Sequence, residues 1–423
     1  MQASKRVFKV SGKRVSSRLF ILVQFFLSLA VALSACSSST NSHQISGNGP
    51  GGSNLPNFPD SQDFYKLPSS VPYEPPGTLV RVQQVGTAGG YTTLRVMYHS
   101  TDSHSHDALV TGLVTYPDAK APSGGWPVIS WDHGTIGMSQ SCAPSRMGLS
   151  GASPNFSVQA DYVETDYLGL GIDGEISPYL NRLTEGYSTI DIVRALKYIP
   201  DAHASNNWLV VGDSEGGHAA LATGELAPSY APEIHLLGTV AVAPGAMLSQ
   251  TFPSDNPILI DLITVMVVYG YHASDPSVDP NQVIAPAAQG LGKLIDTECA
   301  GQVATNLIGI YQKTNGHIFK YPPLQSPLGE TWLKNNDVPQ AKTQSPILVI
   351  AGGQDVIAVP ARINALVPKL CALGDTVSIQ WFKDATHLNE TEVATPEIGA
   401  WLKDRLAGKS PPSNCPYTPP AST

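Results

Sequence analysis

The sequence predicts an α/β protein, with a mostly parallel central sheet, helices on both faces and an inserted, mainly helical cap. Three observations carry this expectation. Short apolar runs alternate with helical periods through the middle and end of the chain. A Gly-x-Ser-x-Gly pentapeptide stands between one such run and the helix after it. Over residues 245–344 the alternation stops, and that stretch is far longer than an ordinary connection.

The elements follow in order. Strand character appears at 79–85, 92–98, 108–116 and 128–131, each run broken by Gly, Pro, Ser or Asp. A helix is expected from Ser188, because Ile190, Val193 and Leu196 recur at helical spacing before Pro200 stops the pattern. The run 208–211 leads into a helix over 215–226, a buried strand over 236–242 and a strand over 347–351. A strand over 377–382 and a final helix around 397–406 close the pattern, and strand, helix, strand in that order implies parallel pairing. The domain then comprises residues 72–244 and 345–410. Within 245–344, two stretches, 258–271 and 291–311, have helical character. The first is apolar but is interrupted by Asp261 and is too short to span a bilayer core of about 30 Å.

Composition bounds the function. The chain has 423 residues, 42% of them hydrophobic and 14% charged, ample for a large core. Its net charge of −9 offers no basic surface for a phosphate backbone, so no nucleic-acid partner is expected. Residues 1–35 read as an export signal, since Lys5, Arg6, Lys9, Lys13, Arg14 and Arg18 precede the apolar run 19–33. Leu33-Ser34-Ala35-Cys36 resembles a bacterial lipobox, which makes Cys36 the lipidated first residue and the membrane a partner through its lipid anchor. Residues 36–71, rich in Ser, Gly and Asn at their start, read as a flexible tether and lead-in. The protein is thus expected to be exported and anchored to the cell envelope, at the outer membrane given Ser37 after Cys36, or secreted. A monomer is expected. Cys142, Cys299, Cys371 and Cys415 remain, and four cysteines in an oxidising compartment allow three pairings.

The chemistry centres on Gly212-Asp213-Ser214-Glu215-Gly216. A serine lifted into a cleft needs a strained strand-to-helix turn, and flanking glycines let strand and helix approach closely. Its hydroxyl is a poor nucleophile until a base takes the proton, so an acid and a histidine must follow it. Asp355 lies in a loop after the strand 347–351, and His387 in a loop after the strand 377–382, as the order Ser, Asp, His requires. Asp384 is a rival for the acid because it lies close to His387. An acid on a separate loop, however, can reach the far ring nitrogen. The oxyanion of an acyl-transfer intermediate needs backbone donors. One is expected from Glu215, the other from Gly134 or Thr135 in His133-Gly134-Thr135. The His104 and His106 pair reads as a polar loop without a third ligand, so neither metal nor cofactor is assigned.

These residues resemble the secretory lipase family of the α/β-hydrolase superfamily. The likeness covers roughly 72–408. It rests on Trp131-Asp-His-Gly-Thr135, Cys142-Ala-Pro-Ser145, Asp166-Tyr-Leu-Gly-Leu-Gly171, the Ser214 pentapeptide, and the Asp355 and His387 loops. The resemblance implies an α/β-hydrolase fold, a helical cap over the site and an acyl-ester substrate. It implies disulfides Cys142–Cys299 and Cys371–Cys415, the second holding the tail 411–423. Glu215 departs from the small residue or glutamine that relatives often carry. A peptidase or other acyl hydrolase remains an alternative, because Asp261, Asp275 and Asp279 could hold a free amine, and a lipid-anchored binding protein is a further one.

Overall fold

The computed structural model describes residues 58–59, 63–148, 154–250 and 257–419. The export signal, Cys36 and most of the tether lie outside them.

Nine strands form one sheet: β1 (Leu79–Ala88), β2 (Tyr91–Thr101), β3 (Asp107–Pro117), β4 (Trp126–Asp132), β5 (Asp161–Thr165), β6 (Ala204–Asp213), β7 (His235–Val242), β8 (Ile347–Gly352) and β9 (Val377–Phe382). The principal helices are α1 (Arg182–Ala195), α2 (Glu215–Tyr230), α3 (Pro257–Ser274), α4 (Leu291–Thr297), α5 (Ala300–Thr314), α6 (Pro327–Asn336), α7 (Pro360–Leu373) and α8 (Glu390–Leu406).

The sheet order is β1-β2-β3-β5-β4-β6-β7-β8-β9. β1 and β2 form a hairpin whose two-residue loop, Gly89-Gly90, takes positive φ at both positions, as a tight turn between twisted strands demands. β1, β2, β3 and β5 pair antiparallel, whereas β5, β4, β6, β7, β8 and β9 pair parallel. The central strands of the parallel half carry continuous buried apolar runs, such as Trp208–Val211 in β6 and Ile347–Ala351 in β8, because both faces are covered. In β6, Leu209 and Val211 join one core, with Ile350, Ile363 of α7 and Leu402 of α8. Trp208 and Val210 point into the other, with Ile190 of α1 and Ala220 of α2.

At β4 the sequence order changes direction: β5 lies on one side and β6 on the other. The carboxyl ends of β4 and β6 therefore open a crevice, the place where such sheets build their sites.

The structure departs from the expected elements in several places. β5 was not expected; its residues Asp161, Glu164 and Thr165 are polar yet buried. α1 begins at Arg182 rather than Ser188, capped by Asn181, whose side chain accepts from the Thr184 amide at 3.2 Å. The stretch 291–311 is two helices, broken at Glu298 and Cys299. α8 begins at Glu390 rather than near 397. α6 and α7 are additional. α3 is long and apolar enough to cross a membrane by length and composition alone, yet Leu259, Leu262, Val265 and Met266 are buried within the protein.

Two disulfides are present, Cys142–Cys299 and Cys371–Cys415. The second fastens the C-terminal tail to α7. The tail lies along β9: the Asn414 amide donates to the Val377 carbonyl at 2.6 Å, and the Ile379 amide to Asn414 Oδ1 at 2.9 Å.

Candidate active site

Ser214 sits in the turn between β6 and α2 with φ 57° and ψ −110°, a backbone state that L side chains rarely adopt. Three hydrogen bonds hold it there. Its amide donates to the Val242 carbonyl at 2.9 Å, and its carbonyl accepts from Gly245 at 2.8 Å and His218 at 3.1 Å. The turn closes only because the flanking residues lack side chains. A Cβ on Gly212 would stand 1.9 Å from the Gly216 carbonyl oxygen, far inside van der Waals contact.

The other two predicted residues arrive from separate strand ends. Asp355 follows β8; its Oδ1 accepts from the amides of Ile357 and Ala358 at 2.7 and 3.0 Å, which pins the loop on itself. His387 follows β9, and its Nδ1–H donates to Asp355 Oδ2 at 2.8 Å. That tautomer leaves Nε2 free to accept from Ser214 Oγ at 2.9 Å. The rival Asp384 is exposed and is paired with Lys383 Nζ at 2.9 Å.

Electrostatics follow from burial. Burial works to raise Asp355, but the adjoining His387 imidazole and the amides of its own loop hold it below the ordinary carboxyl range. For His387 burial works to lower the pKa, and Asp355 first, then Asp213, outweigh it, leaving the imidazole more basic than usual. Asp213, pushed up to about 6 by burial, is a second acid beside the imidazole. Glu390 adjoins Asp355 rather than the imidazole. Neither was singled out in the sequence. Asp213 fills an unspecified place in the pentapeptide, and Glu390 reaches the site only through convergence of strand ends.

The loop after β4 lies against the nucleophile, with a Cβ on Gly134 falling 3.6 Å from Ser214 Cβ. Thr135 Oγ1 shares a 2.8 Å hydrogen bond with the Tyr179 hydroxyl. Glu215 begins α2, and it is buried. Burial first, then Glu185, raise its carboxyl well above the ordinary range, while a hydrogen bond with Thr135 opposes them. Beneath it, Glu185 Oε2 and His218 Nδ1 are 2.6 Å apart, and His218 Nε2–H donates to the Asn336 carbonyl at 2.7 Å.

Two motif pieces meet nearby: the Ser145 hydroxyl and amide both donate to the buried Asp166 carboxylate, which Thr111 also reaches at 2.5 Å. Helices of the segment between β7 and β8 also touch the loops beside the site. Gly270 of α3 packs on Tyr179, where a Cβ would stand 2.6 Å from its amide nitrogen. The Cys142–Cys299 disulfide, with the Ala300 amide donating to Ile136 at 2.8 Å, joins the loop after β4 to the start of α5. Asp275 and Asp279 in this segment are turn residues, accepting from the amides of Ser277 and Asn281.

Comparison with known proteins bears on the family and the fold. A family model described as Secretory lipase matches residues 159–414. The chain is 24% identical over 387 residues to "Probable inactive lipase MT1628" of Mycobacterium tuberculosis, covering 84% of each. It is 23% identical over 399 residues to Lipase A of Arthroderma benhamiae, covering 85% of this chain and 82% of that one. Among solved structures, Candida antarctica lipase A in its closed state superposes with a TM-score of 0.70 at 18% identity, over 86% of this chain and 90% of that one. The sheet and its flanking helices are therefore an α/β-hydrolase fold.

Proposed function

Since the chain belongs to the secretory lipase family, we propose that it is a carboxylic ester hydrolase of the lipase or esterase type, working through an acyl-enzyme on Ser214. One observation carries the reading: an unbroken hydrogen-bonded line from Ser214 Oγ through His387 to Asp355, with distances of 2.9 and 2.8 Å.

In this mechanism Ser214 Oγ attacks the ester carbonyl while His387 Nε2 takes its proton. Asp355 holds the ring in the required tautomer and stabilises the imidazolium. The oxyanion is met by the Glu215 amide and by that of Gly134 or Thr135. His387 then protonates the departing alcohol, and water repeats the cycle to release the acid. The helices between β7 and β8 act as a cap, because they touch the oxyanion loop and the Tyr179 loop together. Export, with Cys36 as the lipid anchor, completes the reading, and two disulfides suit an oxidising compartment.

The test is hydrolysis of p-nitrophenyl esters from acetate to palmitate, with fluorophosphonate labelling of Ser214. The wild type is expected to turn over and to be labelled. Ser214→Ala is expected to lose about 10³-fold or more in kcat with its fold intact. Equal hydrolysis by that variant would end the assignment.

A further inference from the structure

The first residue of α8, Glu390, has no exposed surface. Its carboxyl turns back beneath β8, so that a Cβ on Gly352 would stand 2.3 Å from Oε1. Neither of its carboxyl oxygens finds a hydrogen-bond partner among the described residues; Asp355 lies within its hydrogen-bonding reach, and the charge of Asp213, at the end of β6, bears on it as well. Among the described residues Glu390 takes part in no ion pair. Asp213 thus stands beside the His387 imidazole, and Glu390 stands behind the Asp355 carboxylate that the imidazole contacts.

Two buried carboxylates in contact repel, so one of the pair holds a proton. Asp355 is the ionised member, because His387 and the amides of Ile357 and Ala358 already satisfy its negative charge. The amino end of α8 favours an anion at Glu390, but that pull is weak beside the cost of burying a second carboxylate against the first.

We propose that Glu390 is a positioning residue, whose protonated carboxyl donates a hydrogen bond to the Asp355 carboxylate and so holds the acid that orients His387. Burial first, then Asp355, push Glu390 up to about 10, in keeping with a proton retained at neutral pH. The role rests on the Ser214, His387 and Asp355 reading above.

The experiment compares the wild type with Glu390→Gln, which keeps a donor, and Glu390→Leu, which has none. Glu390→Leu is expected to lose about tenfold in kcat at unchanged KM on p-nitrophenyl butyrate, with the acidic limb of kcat/KM displaced. Glu390→Gln is expected to recover most of that rate and the original limb. Equal losses in both variants would overturn the proposal.

A second arm needs no turnover. A carboxyl whose pKa is raised on folding adds most stability below its unfolded value, and that stability is lost as pH rises toward about 10. The melting temperature of Glu390→Gln should therefore gain on the wild type between about pH 5 and pH 9. A constant gap would mean that Glu390 is ionised and the proposal is wrong. Absence of Ser214-dependent hydrolysis in the wild type would instead sink the proposed function, with unfolding still deciding the proton on Glu390.

Discussion

Gly216 and Asp132 lie so close that a Cβ on the glycine would fall 1.8 Å from the Asp132 carbonyl oxygen. This contact joins the start of α2 to the end of β4 and thereby sets Ser214 against the loop after β4. Since the obstructing atom is backbone, no side-chain rotation can relieve it. Gly216→Ala is expected to destabilise the protein by about 3 kcal/mol or more, a loss on the scale of core overpacking. Urea unfolding checks it; a midpoint within error of the wild type would show that the elbow can open.

Asp355→Asn should leave the loop in place, because the amide oxygen can still accept from Ile357 and Ala358. It would, however, remove the carboxylate that selects the His387 tautomer. The expected result is a fall in kcat of about 10⁴-fold, the scale seen for the same change in a serine protease triad. Asp384→Asn, at an exposed lysine-paired site, should leave the rate within about twofold. A reversal of the two effects in steady-state kinetics would reassign the acid.

A general base works only when neutral, and the neighbouring acids hold His387 above its ordinary value of 6.5. Activity should therefore fall as pH drops through a limb lying above 6.5. Asp213 contributes to that shift while ionised, above about 6. Asp213→Asn should move the limb of kcat/KM to lower pH. A limb that stays put or rises would remove Asp213 from the site's electrostatics.

The Cys142–Cys299 disulfide closes a loop of 157 residues. Replacing both cysteines by serine is expected to cost about 2 to 4 kcal/mol. Because the bridge anchors the loop after β4, proposed to hold the oxyanion, to α5, kcat should fall along with the melting temperature. An unchanged kcat at temperatures well below melting would limit the bridge to stability.

How much of this was legible in the residues varies with where the signal resides. The β6 run, the glycines around Ser214 and the helix after them are local, so motif and context agreed. β5 was hidden because Asp161 and Glu164 are buried in it, which breaks the apolar pattern expected of a strand. α7 carries Ile363, Leu366, Val367 and Leu370 on one face, but Pro368 inside it argues against a helix. Asp213 reaches His387, and Glu390 reaches Asp355, only because the ends of β6, β8 and β9 converge. No spacing along the chain encodes that encounter.

The tail from Pro412 to Asn414 occupies the outer border of β9, the margin at which a further chain could be added to the parallel half of the sheet. Bridged at Cys415, it acts as a fitted stopper against runaway stacking of one molecule on another. Reducing conditions, by freeing that stopper, would open this sheet margin to pairing with another molecule, even before the Ser214 end of the sheet was disturbed.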